Sequence, residues 1–386
     1  MEKQKLGLYI HIPFCKSKCR YCDFCSHPPV KGETDRYLNA LMLNIQDFSG
    51  AAQDYVVDTI YIGGGTPTLL TKKQMKALVE CIESSYELDR SIEFTVEANP
   101  GTVDKGYLKY LLSLGVNRLS FGFQSASDKE LWALGRIHTV SDFAKSFKDA
   151  RDAGFKNINV DIMYGIPHQT LESFLETLSY VRSFDPEHIS VYGLKIEEGT
   201  PFYLERDTLP LPDEETEYKM YRKAHTILEN ANYRHYEVSN YARIGFESQH
   251  NLRYWKNQKY LGFGVSAHSF FEGQRYAYTD DMEKYMHEME HPKANNDGFS
   301  DILSECTDVD IFTKEIEYIM LRMRLFDGIN LLDYNRVFGK DFLKKYGEKL
   351  KRYVDGGFVR IDNTRVAFTV KGMYVSNYIL SDIIEF

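Results

Sequence analysis

Short runs of β-branched and aromatic residues alternate, in the first half of the chain, with longer stretches whose apolar residues recur every three or four positions. The short runs predict strands over 6–11, 59–62, 92–97, 118–121, 157–163 and 188–192. The longer stretches predict amphipathic helices, among them 72–86, 105–114, 141–153 and 171–183. Strands that alternate with helices favour a parallel sheet covered by helices, as an open or partial barrel.

The pattern loosens after about residue 200. Here the sequence predicts a helix over 214–230, a linker over 291–300, a helix over 313–325 and a hairpin of 358–361 with 365–369. We therefore expect an α/β protein in three parts: a partial barrel over 1–235, a barrel extension over 236–299, and a small α+β C-terminal domain over 300–386.

Composition and charge narrow the classes of partner. The chain has 386 residues, 43% of them hydrophobic, which is enough for a large core. Its net charge of −9 gives no general attraction to nucleic acid or anionic lipid, so we expect small molecules or proteins as partners and no nucleic acid. No apolar run approaches the roughly 18 residues of a membrane span, and we expect a soluble, cytoplasmic protein without a transmembrane segment.

Chemically distinctive residues follow several of the predicted strands. In a βα fold the loops after the carboxyl ends of the strands form the active face. The residues at these ends are Cys15, 63–66, Glu97, Gln124 and Asp161. Glu97 is suited to a ribose or ammonium group, and Gln124, Arg136 and Asp161 are suited to adenosine or carboxylate contacts. Each of them alone also fits a salt bridge or a cap; together they favour a ligand site.

Four of the six cysteines lie within 15–25. Cys15, Cys19 and Cys22 are close enough for one loop to hold a [4Fe–4S] cluster, and three ligands leave one iron open for a chelating amino acid group. The alternative is a zinc site that adds His11, His27 or Cys25 to the three thiols. Cys25 itself fits three roles: a fourth ligand, a redox partner or a neighbouring thiol.

The Cys-x3-Cys-x2-Cys loop after a first strand resembles the radical S-adenosylmethionine (SAM) superfamily. Further motifs resemble the oxygen-independent coproporphyrinogen III dehydrogenase (HemN) group and its HemW relatives; they are Tyr-Ile-His-Ile-Pro-Phe-Cys at 9–15, Gly-Gly-Gly-Thr-Pro-Thr at 63–68, Gln124, Asp-Ile-Met-Tyr-Gly-Ile-Pro at 161–167 and Gly-Phe-Gly-Val-Ser-Ala at 262–267. The resemblance implies a partial (β/α)6 barrel, one cluster on Cys15, Cys19 and Cys22, and SAM contacts at Tyr9, Tyr21, Gly64, Gly65, Thr66, Glu97, Gln124, Arg136 and Asp161.

Two features separate the members of this group. The dehydrogenase continues its cluster motif as Cys-x-Cys and carries an extension ahead of its first strand, whereas this chain has Cys22, Asp23 and Phe24 and a first strand that is predicted from residue 6. Both differences speak against coproporphyrinogen decarboxylation. The segment 250–255 matches the HNxxYW signature associated with HemW haem chaperones. The match implies a family-specific role, with His250 as a candidate axial haem ligand; the alternative is an aromatic turn packed into the core with a hydrogen-bonded histidine.

The resemblance implies a haem chaperone that binds haem and passes it to an acceptor apoprotein, such as a respiratory enzyme, with the cluster, SAM and an electron donor such as a flavodoxin or ferredoxin. The alternative is a radical enzyme that decarboxylates coproporphyrinogen III. A third hypothesis is another radical reaction, in which 250–255 is only a structural turn.

Overall fold

The computed structural model describes residues 3–291 and 302–384. The predicted linker therefore lies, apart from His291, outside the described residues. The first half of the chain alternates strands and helices with these bounds: β1 Gln4–Ile12, α1 Glu33–Asp47, β2 Tyr55–Gly64, α2 Lys72–Ser85, β3 Leu88–Ala98, α3 Lys105–Ser113, β4 Arg118–Gln124, α4 Asp128–Ala133, α5 Val140–Ala153, β5 Ile158–Tyr164, α6 Leu171–Ser183 and β6 His188–Gly193. Two short 3-10 helices cover Phe48–Ala52 and Pro67–Leu69. The predicted strands and helices of this half are confirmed.

The strands β1 to β6 are neighbours in chain order and pair in parallel. Alternate residues of β1, from Leu6 to Ile12, are fully buried in the main core together with residues of α1 such as Leu41. The residues between them, such as Tyr9 and His11, lie on the other face because successive side chains of a strand point to opposite sides. The result is a partial barrel whose carboxyl edge carries the cysteine loop, and the predicted fold class is confirmed.

The second half of the chain extends this sheet on both edges. Its elements are α7 Pro201–Glu205, α8 Glu214–Glu229, β7 Arg234–His235, β8 Asn240–Ala242, α9 Gln249–Trp255, β9 Tyr260–Phe263, β10 His268–Phe271, β11 Gln274–Tyr278, α10 Met282–Glu290 and β12 Leu303–Asp308. On one edge β8 pairs antiparallel with β6; on the other β9 pairs in parallel with β1 and is followed by β10, β11 and β12. Since β12 pairs with β11, the strand after the predicted boundary at residue 300 belongs with the large sheet.

The remaining residues form a small α+β domain. Its elements are α11 Ile311–Arg322, β13 Ile329–Asn330, α12 Leu331–Phe338, α13 Phe342–Asp355, β14 Val359–Ile361, β15 Arg365–Phe368, α14 Val370–Tyr374 and α15 Ser376–Ile383. The predicted hairpin is confirmed as the antiparallel pair β14 and β15. The domain has a core of its own, and it joins the barrel through a bridge between Glu237 and Leu325.

None of the helices in the described ranges combines the length and the apolar character that crossing a membrane requires. The cytoplasmic location stays a prediction.

Candidate functional site

The inner face of the barrel is polar, and it brings the predicted rim residues together. Tyr9 is level with Tyr61 across β1 and β2, and Thr95 of β3 is level with Arg118 of β4. One step nearer the carboxyl edge, Glu97 is level with Ser120, Asn159 and His188. A parallel sheet with matched registers places the carboxyl ends of its strands at one rim, so residues far apart in sequence share one surface.

Glu97 is the hub of this rim. Tyr61 donates its hydroxyl proton to Glu97 Oε1 at 2.8 Å, and the amide of Gly64 donates to Oε2 at 3.1 Å. Burial raises the pKa of Glu97 to about 7, and the negative charge of Asp161 adds to the shift. Glu97 therefore changes its ionisation near neutral pH and is placed to accept a hydrogen bond from a ligand hydroxyl or ammonium group.

Tyr9 lies beside this pair. Its ring stacks on that of Tyr61 with centroids 6.3 Å apart, and its hydroxyl lies 3.0 Å from His11 Nδ1. The other ring nitrogen of His11 lies 2.9 Å from the carbonyl oxygen of Cys25. These contacts tie the rim to the cysteine loop, and they engage both nitrogens of His11.

The glycine segment fastens the cysteine loop to the sheet. The amide of Gly65 donates to the carbonyl of Ile12 at 2.8 Å, and that of Thr66 donates to Phe14 at 2.7 Å. A Cβ at Gly65 would stand 2.6 Å from the Phe14 carbonyl oxygen, so only glycine allows this approach. Because these amides and that of Gly64 are already engaged, a backbone contact from residues 64–66 to a ligand would use a carbonyl oxygen.

A chain of hydrogen bonds joins the first cysteine to the far side of the rim. Thr66 donates to Cys15 Sγ at 3.6 Å and accepts from Asn99 at 2.8 Å. Arg136 in turn donates to Asn99 Oδ1 at 2.9 Å and to the hydroxyl of Tyr21 at 2.8 Å. Sequence reasoning missed Asn99. The signal was its position directly after β3, two residues beyond Glu97.

Gln124 and Asp161 complete the set. Gln124 has a left-handed φ of 73° at the end of β4, a costly conformation for a residue other than glycine. Asp161 accepts from Asn159 at 2.8 Å and from Ser120 at 3.4 Å, and burial raises its pKa. The structure thus gathers the predicted SAM residues at one rim.

Several buried polar atoms around the rim have no hydrogen-bond partner within the part of the chain that the structure describes. They are Thr95 Oγ1, Arg118 Nε, Gln124 Oε1 and Arg136 Nε. A buried polar group without a partner costs about 1–3 kcal/mol, and native proteins contain few of them. Orphan donors and acceptors beside Glu97 and Asp161 fit a polar ligand that supplies the missing partners.

The cysteine loop offers the chemistry that a cluster needs. Cys15, Cys19 and Cys22 are free thiols on one loop, and Cys22 donates its amide to the Cys19 carbonyl. Over residues 3–291 and 302–384, no group of three His, Cys, Asp or Glu side chains has the arrangement of a metal site. Three soft thiolate donors on one irregular loop fit an iron–sulfur cluster.

The additional ligands of the zinc alternative are engaged elsewhere. Both ring nitrogens of His11 lie at hydrogen-bond distance from Tyr9 and Cys25, as described above. His27 Nε2 pairs with Glu33 at 3.0 Å. Cys25 donates its thiol proton to the carbonyl of Asp280 at 3.6 Å, which supports the role of a neighbouring thiol.

His250 lies inside the protein. Its side chain is 1% exposed, Nδ1 lies 3.0 Å from Thr59 Oγ1, and Nε2 lies 2.7 Å from the hydroxyl of Tyr254. Its ring stacks on that of Tyr61 with centroids 5.3 Å apart. Both ring nitrogens are occupied, so this conformation offers no lone pair to a haem iron. The haem contact at His250 stays a prediction; in this structure the motif lies on a helix that packs into the barrel.

The whole helix α9 is held by the barrel strands. Glu93 of β3 accepts from the amides of Gln249 and His250, both at 3.0 Å, and thereby caps the helix with a negative charge. Arg253 forms an ion pair with Asp58 of β2. Asp58 lies in the amino-terminal half of β2 and Glu93 is the middle residue of β3, so α9 packs against the middle of the barrel strands.

Comparisons with known proteins agree with this geometry. The model of the radical SAM superfamily matches residues 9–181, and that of the HemN C-terminal domain matches residues 316–375. The structure titled coproporphyrinogen III oxidase (HemN) from Escherichia coli superposes with a TM-score of 0.85 and 23% identity, over 99% of this chain and 91% of that one. At this identity the likeness is one of fold.

Curated relatives are more similar in sequence. Heme chaperone HemW of Bacillus subtilis is 35% identical over 96% of this chain and 96% of its own length. Heme chaperone HemW of Escherichia coli is 37% identical over 85% of each. The superfamily implies a [4Fe–4S] cluster and SAM, as the motifs had indicated. The chain belongs to the HemW family of the radical SAM superfamily.

Proposed function

We propose that this protein is a haem chaperone: it binds haem and transfers it to an acceptor apoprotein. The observation that carries the proposal is the similarity to proteins named heme chaperone HemW along nearly the whole chain. The sequence supports it, because the cluster loop continues as Cys22, Asp23 and Phe24 and not as Cys-x-Cys.

We assign the cluster to Cys15, Cys19 and Cys22. When bound, such a cluster supplies single electrons and an open iron for a SAM molecule. The hydroxyl of Thr66 donates to Cys15 Sγ, and a hydrogen bond to a ligating sulfur is one way in which a protein tunes cluster potential. Arg136 adds a fixed positive charge near the thiolates, through its contact with Tyr21.

We assign SAM to the rim built by Tyr9, Tyr21, Gly64, Gly65, Thr66, Glu97, Gln124, Arg136 and Asp161. Glu97 and Asp161 accept hydrogen bonds from hydroxyl or ammonium groups, whereas Arg136 and the amide of Gln124 donate. The unpartnered Gln124 Oε1 and Arg136 Nε support the assignment, since a bound ligand would satisfy them. We expect the acceptor to be a haem enzyme, such as a respiratory one. We expect the electron donor to be a flavodoxin or ferredoxin.

Anaerobic haem transfer tests this function. The reconstituted protein is loaded with haem and mixed with a candidate apoenzyme, and recovery of that enzyme's activity and spectrum is measured. Cys19→Ser is expected to reduce transfer, whereas Cys306→Ser, at an exposed thiol of β12, should leave it unchanged. A parallel assay supplies coproporphyrinogen III, reductant and SAM. Sustained formation of vinyl groups would replace the chaperone with the dehydrogenase.

A further inference from the structure

A chaperone that holds haem through its iron needs an accessible ligand for that iron. The imidazole of His250 is buried, and both its nitrogens are hydrogen-bonded. Histidine is a common axial ligand of haem iron, and the chain has 11 histidines. In the described structure the following rings are buried or have a nitrogen engaged in a side-chain or backbone contact: His11, His27, His138, His188, His225, His235, His250, His287 and His291. The two exposed rings without such a contact are His168 and His268.

His168 lines a groove of haem size. The groove has a volume of about 740 Å³, and its walls include Trp132 and Ala133 of α4, Pro167, and Leu209 and Pro210 after α7. Pockets for ligands of this kind span about 300–1,000 Å³ and are mostly apolar with a few placed polar groups. The volume fits a haem-sized ligand. The residues named above supply an apolar wall, and the rest of the lining is polar or charged and includes Arg20, Asp128 and Glu205.

The backbone holds His168 in a strained turn. Gln169 donates its amide to the Ile166 carbonyl at 2.9 Å, Pro167 occupies the second position of the turn, and His168 follows with a φ of 67°. Glycine is the usual residue at this position of a type II turn. A side chain there costs stability, and such strain points to function. The amide of His168 donates to the Pro210 carbonyl at 2.8 Å, which fixes the turn to the opposite wall.

The exposed indole of Trp132 supplies a second feature. Its side chain is 79% exposed at the groove, although large aromatic side chains usually bury their area. Lys129, also in the groove wall, has no ion pair among the described residues and can meet a carboxylate. The carboxylate of Glu130 is buried. It accepts hydrogen bonds from Ser125, Ser173 and Gln169, which compensate its charge within the protein. A ring stacked on Trp132 can thus place a propionate near Lys129.

The groove is continuous with the cysteine loop. Arg20, the residue after Cys19, lines it and pairs with Glu205 at 2.5 Å. The amide of Arg20 donates to the Leu134 carbonyl at 3.0 Å, and its own carbonyl accepts from Phe202 at 3.1 Å. These two hydrogen bonds hold the loop backbone between α4 and α7, which form the groove walls. A cluster on this loop and a ligand in the groove share one wall.

We propose that haem binds in this groove, with His168 as its axial ligand, Trp132 stacked on the porphyrin and Lys129 beside a propionate. The inference rests on the proposed function and names the site where the cargo lies. It also gives helix α9, which carries the HNxxYW motif, a structural role in the barrel and not the role of iron ligand.

Haem titration of wild type and His168→Gly tests the site. Glycine suits the left-handed turn, so the variant keeps the fold while it removes the imidazole. We expect its Kd for haem to rise about tenfold or more, the lower bound for changes at a metal site, and the Soret band to shift. Added imidazole should restore the wild-type spectrum, which a merely structural role would not allow. Trp132→Ala should weaken binding without removing the axial signal.

His268→Ala is the matched control, and each result is decisive. Unchanged affinity and Soret position in His168→Gly, or loss of the axial signal in His268→Ala or His250→Phe alone, would overturn the site while leaving the chaperone function intact. Failure of the wild-type protein to bind haem would overturn both. Iron and sulfide contents, measured for every variant, show that the cluster site is equally loaded.

Discussion

His250→Phe isolates what the HNxxYW helix contributes. Phenylalanine keeps a ring against Tyr61, but it cannot bond to Thr59 or Tyr254, which lie 3.0 and 2.7 Å from the imidazole nitrogens. Each change leaves a hydroxyl without its partner, that of Thr59 buried and that of Tyr254 partly buried, at a cost of about 1–3 kcal/mol each. For the two partners together, we expect the free energy of unfolding at neutral pH to fall by about 2–6 kcal/mol.

The pH dependence of stability gives a second, independent test of the role of His250. Burial, together with the smaller effect of the positive charges of Arg253 and Arg118, lowers the pKa of His250 from 6.5 to about 3. Between pH 3 and 6.5 the unfolded chain binds a proton on His250 that the folded chain does not bind. The contribution of His250 to the free energy of unfolding is therefore complete above pH 6.5 and declines by about 1.4 kcal/mol per pH unit as the pH falls. At a pH of about 5 the wild type has lost about 2 kcal/mol that the variant cannot lose. The stability gap between them should narrow by that amount.

Denaturant unfolding at both pH values, followed by circular dichroism and fluorescence, measures the gap. His287→Phe, at an exposed position of α10, is the control and should change stability little. A cost below about 0.5 kcal/mol, the size of an ordinary surface substitution, would refute the buried hydrogen-bonded role of His250. So would a gap that stays constant between the two pH values.

Three further predictions concern the rim and the small domain. Asn99→Ala should weaken metal retention about tenfold after anaerobic reconstitution, because Asn99 joins Thr66 to Arg136. The control is Asn117→Ala, since the Asn117 amide bonds to backbone groups of β3. Equal loss of metal in both variants would contradict a role of Asn99 at the cluster site. SAM affinity, measured by equilibrium dialysis, should rise with pH through about 7 as Glu97 ionises, and Glu97→Gln should flatten the profile; a flat wild-type profile would count against this acceptor. Glu315 is 1% exposed, and although burial raises its pKa, Lys340 and Lys345 lower it to about 2. Its stabilisation, about 3 kcal/mol, is present above pH 4.5 and lost toward pH 2, so Glu315→Gln should lower the melting temperature at neutral pH but little in strong acid.

Local patterns determined the elements that depend on short-range physics. Hydrophobic periodicity located β1 to β6 and their helices, because each period reflects which face of one element is buried. The cysteine spacing and the glycine segment were readable because a loop must supply several thiols and because only glycine tolerates the Phe14 carbonyl. These features require no knowledge of distant partners.

Only the tertiary structure decided the partners of side chains that are far apart in the chain. Tyr21 and Arg136 are separated by 115 positions, and Thr59 and His250 by 191. The HNxxYW motif showed an imidazole beside aromatic rings, which fits an iron ligand and a buried hydrogen-bonded ring equally well. The packing of α9 against β2 and β3 settled its environment, because burial occupies both nitrogens. The pairing of β12 and the groove around His168 likewise arise from contacts between segments whose sequences carry no mark of one another.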